Sequence, residues 1–558
     1  NSANNCVFVD TNANTGSSTE TKIMEEMDAI NLKLSHISIT SANATFSGAG
    51  IYSFHSNSIV EINDISFETI SAQKGGVAHV FNSSLSISNL KVEQSSVSTI
   101  GGLALLEESA ELTINGGTIN NVVSLQNGGA LYITDESKAT ISNIYANAVS
   151  TESKGGFALV RLSSQLHLSS SSIHDSSAKD SGGMIHAEES SIITMKKTFS
   201  RKSYSGGVGG TISLLKGSRL LGDSETVLSN TTARQKGGGI YLDASNVTVQ
   251  GIAIDSGEAL LGGGIYCDGT KTSLRNLHLQ SCKAMNGGGG MHVTAASEIE
   301  LLNTVIETSQ SSVGGGLHVT EKSSITGERI VLRNNTADRG GGAMVEKYST
   351  TQFSASQIIG NTAKEGAGIC LRDSGEGIYN QKTEFISNVA VNQGGGLMVI
   401  GDSKARLENS AMYENHAFYG GAMYVDGCNI DLITSLIKYN TVGDGGYGGG
   451  LFIAKNGNAK ITKQSIFDSN TATKGGAGYV EYGSMFYLEE STLSSNEAVY
   501  DGGGLFVNDA LALMFKATIS ENTAVDEGGG VNVQNGTFKI EKLKCSNCVH
   551  YNSCNYRK

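Results

Sequence analysis

A Gly-Gly-small tripeptide followed by an apolar strand recurs along almost the whole chain, and it limits the fold more than any other feature. The clear copies read GGGIYLD, GGGIYCD, GGGMHVT, GGGLHVT, GGGAMVE, GAGICLR, GGGLMVI, GGAMYVD, GGGLFIA, GGAGYVE, GGGLFVN and GGGVNVQ. Their last small residues fall at Gly239, Gly264, Gly290, Gly316, Gly342, Gly368, Gly396, Ala422, Gly450, Ala477, Gly504 and Gly530, spaced 25 to 28 residues apart. Weaker copies run back through Gly183, Gly156, Ala130, Gly102 and Gly76 to Gly50. Within one period the apolar residues alternate, as in Leu317 and Val319, then Ile325, then Ile330 and Leu332. That is the two-residue step of strands, with no helical face. Helical solenoid repeats need ~33–47 residues and propeller blades ~40 or more. Three short strands joined by Ser, Asn, Asp and Gly turns fit this period. The expected fold is therefore all-β, a parallel β-helix of about 20 coils with ~26 residues per coil, rising ~4.8 Å per coil.

Composition removes the rival classes. Glycine is 71 of 558 residues and proline is absent. Glycine shows no period of three, so collagen is excluded. Hydrophobic residues make up 39%, enough for a core, so the chain is not disordered. No apolar run is long enough for a membrane span. The net charge is −13, and this acidic balance argues against nucleic-acid partners. The lack of proline suits a solenoid, because nearly every backbone N–H feeds the inter-coil ladder and proline cannot donate.

A second landmark recurs before the glycines: Asn335, Asn361, Asn388, Asn415, Asn440, Asn470, Asn496 and Asn522. An apolar residue stands three positions ahead of each, as with Leu332, Phe385 and Phe467. Equivalent positions of successive coils stack, so these asparagines are expected to form a ladder. Each would take a left-handed conformation at a turn and donate its amide to the next coil. Ordinary turn preference is the plainer alternative.

The ends look different. Residues 1–35 lack the glycine signature and are read as a cap over a β-helix spanning 36–540. Within them TKIMEEMDAI, with Ile23, Met24, Met27 and Ile30, reads as one or two helical turns. Residues 541–558 hold Cys545, Cys548 and Cys554. These are disulfide candidates and read as the start of a cysteine-rich module. With His550 they also read as half a zinc site.

The paired signals, GGA or GGG followed by Ile or Leu, and Phe-x-x-Asn upstream, resemble the repeats of chlamydial polymorphic outer-membrane proteins. The nearest stretches are FISNVAVNQGGGLMV from Phe385 and FDSNTATKGGAGYV from Phe467. The likeness covers residues 225–535 well and 40–225 loosely. It implies a right-handed parallel β-helix at a cell surface, often adhesive. Two departures stand out. Only two of the eight asparagine sites carry the family's Phe, and residues 541–558 do not read as the start of a transporter barrel.

The strand after the glycines has a readable face. Its first and third residues, such as Ile240 and Leu242 or Leu451 and Ile453, form the core. The second residue then faces outward: Tyr241, Tyr266, His292, His318, Met344, Cys370, Met398, Tyr424, Phe452, Tyr479, Phe506 and Asn532, with Tyr132 and Tyr52 extending the series. An outward stripe of rings and methionines is expected to be a lateral contact with another chain or a glycan. It also reads as a self-contained stack bracing neighbouring coils, or as a sign that the face is inverted.

Catalysis has one constellation in its favour: Asp243 and Asp268 two residues beyond the stripe, beside His292 and His318. Coils this uniform offer few long loops for a cleft, so the expectation is no enzyme and no cofactor. Asn-x-Ser/Thr sequons stand at Asn43, Asn82, Asn230, Asn246, Asn334 and Asn535. Asn82, Asn246 and Asn535 fall in the turn after the glycine site and are expected to carry glycan. Asn43 and Asn230 are placed at the ladder, hence buried, with Asn334 beside it. The combined expectation is a non-enzymatic, extracellular structural solenoid of a surface appendage, filament or coat, partnered by itself or other surface proteins. An adhesin that binds glycans or proteins is the alternative, and a polysaccharide lyase or hydrolase a minor one.

Overall fold

A computed structural model describes residues 5–9, 23–25, 31–54, 59–243, 248–546 and 549–550. Every regular element among them is a β-strand. The chain divides into two compact units, Asn1–Cys282 and Lys283–Lys558. Each is a stack of coils whose equivalent strands pair in parallel.

One coil of the second unit illustrates the build. Leu451–Ala454 lies in a first sheet, Asn458–Thr462 and Ile466–Asp468 in a second, and Thr471–Lys474 in a third. Leu451, Ile453, Ala459, Ile461 and Phe467 point into the coil and are fully buried. Each large apolar side chain so placed contributes about 1.5–3 kcal/mol. The corners are left-handed: Lys455 and Asn456 after the first strand, then Lys463 and Gln464, then Ser469. Leu451 pairs with Met423 of the preceding coil and with Gly478 of the next. That in-register stacking is the solenoid.

Among the described residues the first sheet supplies one parallel strand per coil: nine in the first unit, from Ile51–Phe54 to Ile265–Asp268, and ten in the second, from Met291–Thr294 to Val531–Gln534. This gives about 19 turns, in keeping with the repeat count. In the second unit the third sheet has eight strands, from Thr362–Glu365 to Val549–His550.

The glycine pair has two separate causes. Gly420 sits at φ 64°, and a Cβ there would run into the carbonyl of Met423. At Gly421 the obstacle is the neighbouring coil, since a Cβ would strike the carbonyls of Thr441 and Gly449. The first glycine makes the turn and the second lets the coils approach.

The ends depart from expectation. Ile23–Glu25, the described part of the stretch read as helical, is a strand pairing antiparallel with Asn5–Val9. Asn5–Val9 in turn pairs antiparallel with Ile51–Phe54. Isolated helical turns hold poorly, whereas a sheet edge offers unpaired backbone to any extended segment. Asn31–Asn43 already pairs in parallel with Ile59–Ala72, so coil structure starts inside the segment assigned to a cap. At the other end Lys544–Ser546 pairs with Thr518–Ser520, placing Cys545 opposite Ile519 in an ordinary coil position. Cys548 and Cys554 lie outside the described residues.

Candidate functional site

The stripe holds its register but not its exposure. Tyr424, Phe452, Tyr479 and Phe506 lie on the first sheet's outer face, opposite each other on consecutive coils. Their rings stack at 5.4, 5.1 and 5.1 Å. Yet they are only 6, 4, 6 and 1% exposed. Met344, Cys370 and Met398 continue the same buried cluster, and Tyr241, Tyr266, His292, His318 and Asn532 are buried too. The expected lateral contact surface is therefore closed. The in/out assignment stands, since Leu451 and Ile453 remain in the core.

What covers the rings of Phe452, Tyr479, Phe506 and Tyr266 is the residue just before a glycine pair, and Val313 and Ile400 also pack against the cluster. Tyr419 packs on Phe452 at 5.2 Å, and Tyr447 stacks on Tyr479 at 4.8 Å. Lys474 lies over the Phe506 ring and Lys236 over Tyr266. The glycine turn folds these side chains back across the outer face. Desolvation, followed by nearby carboxylates, drives the phenols of Tyr241, Tyr424 and Tyr479 well above their ordinary pKa, so they stay protonated.

The same slot holds two histidines that the sequence reading passed over, His79 and His186. Each is held at both nitrogens. Nδ1 of His79 lies 3.1 Å from the Ser47 hydroxyl and its Nε2 2.9 Å from Glu107. His186 meets Ser181 at 2.8 Å and Glu188 at 3.4 Å. Ser47 and Ser181 are again the residues before the glycines. The bond from His186 holds the Glu188 carboxyl down at about 2, whereas burial pulls the His186 pKa below its usual value. In the second unit His318 Nε2 meets Glu346 at 3.1 Å, and that bond lowers the Glu346 pKa.

The candidate acid constellation draws its residues from both units, and each pair is described within its own. Asp243 and Asp268 are paired in register in the first unit. Lys236 Nζ lies 3.1 Å from Asp268 Oδ2, and the Tyr241 hydroxyl donates to the same oxygen at 3.4 Å. Both partners occupy the same carboxylate oxygen, so it is engaged within the wall. His292 and His318 belong to the second unit, edge to face at 4.7 Å. Among the described residues no group of three or more His, Cys, Asp or Glu is placed to hold a metal ion.

The asparagines form a hydrogen-bonded column, fully buried from Asn335 to Asn522. Nδ2 of each donates to Oδ1 of the next: 3.1 Å from Asn335 to Asn361, 2.9 Å from Asn361 to Asn388, from Asn388 to Asn415, from Asn415 to Asn440, from Asn440 to Asn470 and from Asn470 to Asn496, and 2.8 Å from Asn496 to Asn522. The same Oδ1 also accepts the backbone N–H of the preceding asparagine, as Asn361 does from Asn335 at 3.0 Å. Nδ2 makes a second bond, to a backbone carbonyl such as Leu332 O from Asn361 at 2.9 Å. One expectation is corrected. The left-handed residue is not the asparagine but its predecessor: Asn334, Gly360, Ser387, Glu414, Tyr439, Ser469, Ser495 and Glu521. The predecessor turns the chain so that the asparagine points inward. In the first unit Asp175, Lys202, Asn230 and Ser281 are left-handed in the same way, and Ser176, Ser203, Thr231 and Cys282 follow them. The slot there is filled by smaller groups.

This moves the sequons. Asn230 is the exposed left-handed corner and not the ladder residue, which is Thr231. Asn43 is exposed as well, with Ala42 in the buried position. Asn82, Asn334 and Asn535 are exposed left-handed corners. Asn246 lies outside the described residues.

A family model described as the right-handed β-helix region matches residues 156–337 and 377–549. The chain belongs to the right-handed β-helix family. No curated protein matches this β-helix chain. Among solved structures it is similar to the A-module of the Azotobacter vinelandii mannuronan C-5 epimerase AlgE6, at 8% identity and a TM-score of 0.18, over 83% of this chain and 90% of that one.

Proposed function

We propose that this right-handed β-helix is a non-enzymatic, extracellular scaffold, a building block of a surface appendage, filament or coat. The observation that carries the reading is the sealed stripe. Beside the aligned acids Tyr241 and Tyr266 are buried with Lys236 lying over the Tyr266 ring, and Asp268 is paired with Lys236 and Tyr241. Side chains that would otherwise do chemistry or bind a partner hold coil to coil. The likeness of the Phe385 and Phe467 stretches to polymorphic outer-membrane repeats supports a place at a cell surface.

Incubation of the full chain with neutral and acidic polysaccharides tests this, with new reducing ends and unsaturated products as the readout. No turnover is expected. Turnover that disappears in Asp268→Asn would replace the scaffold with an enzyme. The adhesive alternative has an observation of its own, on another wall of the first unit.

A further inference from the structure

The second sheet of the first unit carries an exposed aromatic and basic face that whole-chain composition hides. Residues 196–204 read KKTFSRKSY, with four cations and no acid in a chain of net charge −13. Phe199–Arg201 and Tyr204–Ser205 are strands whose Ser200 and Ser205 point inward, so Phe199, Arg201 and Tyr204 point out. Phe199 is 50% exposed, Tyr204 45% and Tyr145 44%. Tyr145 pairs in register with Ser172, and Ser172 with Phe199. The two rings thus share one column, two coils or about 10 Å apart, with a hydroxyl between them. Lys197 pairs with Glu225 at 3.3 Å, and Lys202 lies 3.9 Å from Asp175. Lys196 and Arg201 have no carboxylate at ion-pairing distance among the described residues. The charge of Lys196 is felt nearby: burial, then Lys138 and Lys196, push the His167 pKa down.

We propose that this wall binds a polyanionic polysaccharide, with Tyr145, Phe199 and Tyr204 stacking on sugar rings and Lys196 and Arg201 pairing with its sulfate or carboxylate groups. The run supplies four cations, of which two, Lys197 and Lys202, already face Glu225 and Asp175, and the two left over, Lys196 and Arg201, carry the charge complementarity; guanidinium matches sulfate and carboxylate with two parallel bonds. A two-coil interval is of the order of a disaccharide step along an extended chain, and straight columns are what a stacked-coil sheet offers. A single-stranded nucleic acid stacks successive bases on successive rings, whereas here rings alternate with serine. A membrane surface favours apolar side chains that protrude from one face, whereas these lie in a sheet among hydroxyls. The inference extends the adhesive alternative and does not depend on whether the protein is also an enzyme.

The test uses the full chain and heparin as the probe, by calorimetry at two salt concentrations. Binding that weakens with salt is expected. The double variant Lys196→Ser/Arg201→Ser should lose about tenfold or more in affinity and flatten the salt dependence. Phe199→Ser/Tyr204→Ser should lose affinity severalfold with the salt dependence unchanged, and both variants should melt like the parent. No binding at low salt, or equal binding by the variants, overturns the proposal. So does single-stranded DNA or a phosphatidylserine vesicle that displaces heparin through these same residues. Cleavage of heparin during the titration would sink the scaffold reading and leave this wall standing.

Discussion

Asn388 donates from Nδ2 to Oδ1 of Asn415, 2.9 Å away and 27 residues on, and its backbone N–H donates to the same oxygen at 3.1 Å. One buried carbonyl oxygen thus satisfies two donors from the coil before. Repeated through the second unit, this ties each coil to the next by side chain as well as backbone. Asn415→Ala would leave both Asn388 donors and the Phe385 carbonyl unmet. Each buried polar group left without a partner costs about 1–3 kcal/mol, so a loss of several kcal/mol is expected. Glu414→Gly, at the exposed left-handed corner beside it, should be neutral or mildly stabilising. Chemical denaturation of the two variants compares them, and equal effects would reject the ladder as a source of stability.

Phe452 lies between Tyr424 and Tyr479 with Tyr419 over it. Phe452→Thr should therefore destabilise by about 3–5 kcal/mol, as for a large buried ring. Tyr439→Gly, at a half-exposed ring on a left-handed corner that glycine accepts, should shift the melt little. A stable Phe452→Thr protein would mean that the stripe is open after all.

Acid should weaken the first unit in two steps. Burial holds the His186 pKa below its unfolded value, so the unfolded chain takes up the proton first. That contribution is complete above about pH 6.5 and is lost as pH falls through the folded value. Glu188, held at about 2, adds stability that is present above its ordinary range and is lost between about 4.5 and 2. His186→Gln should shrink the first step to the part that His167, also held below its usual value, contributes. Melting temperatures between pH 8 and 3 give the two inflections, and a variant with the parent's profile would contradict this assignment.

Made in a eukaryotic secretory host, the chain should carry glycan at Asn82, Asn230, Asn334 and Asn535, because all four are exposed left-handed corners where an N-linked sugar leaves the coil undisturbed. Glycopeptide mass spectrometry reads each site. Bare Asn230 and Asn334 beside occupied Asn82 and Asn535 would show that the corner before the ladder is shielded.

The period, the parallel coils, the inward residues such as Leu451 and Ile453, and the asparagine column from Asn335 to Asn522 were all legible in the residues. A repeat of constant length forces equivalent positions to stack, and alternation assigns them to faces. The charge sum concealed the run from Lys196 to Lys202, because a net value averages over the whole chain.

What only the tertiary structure decided is what lies on top of what. Alternation says that Phe452 faces away from the coil interior, and it does. It cannot say that the glycine turn brings Tyr419 back over that ring, because the covering residue belongs to another sheet. Likewise the spacing marked a turn near Asn230 and Asn335 but not which residue takes the left-handed angle. A shift of one position exchanges a buried ladder residue for an exposed corner, and only backbone geometry settles the register.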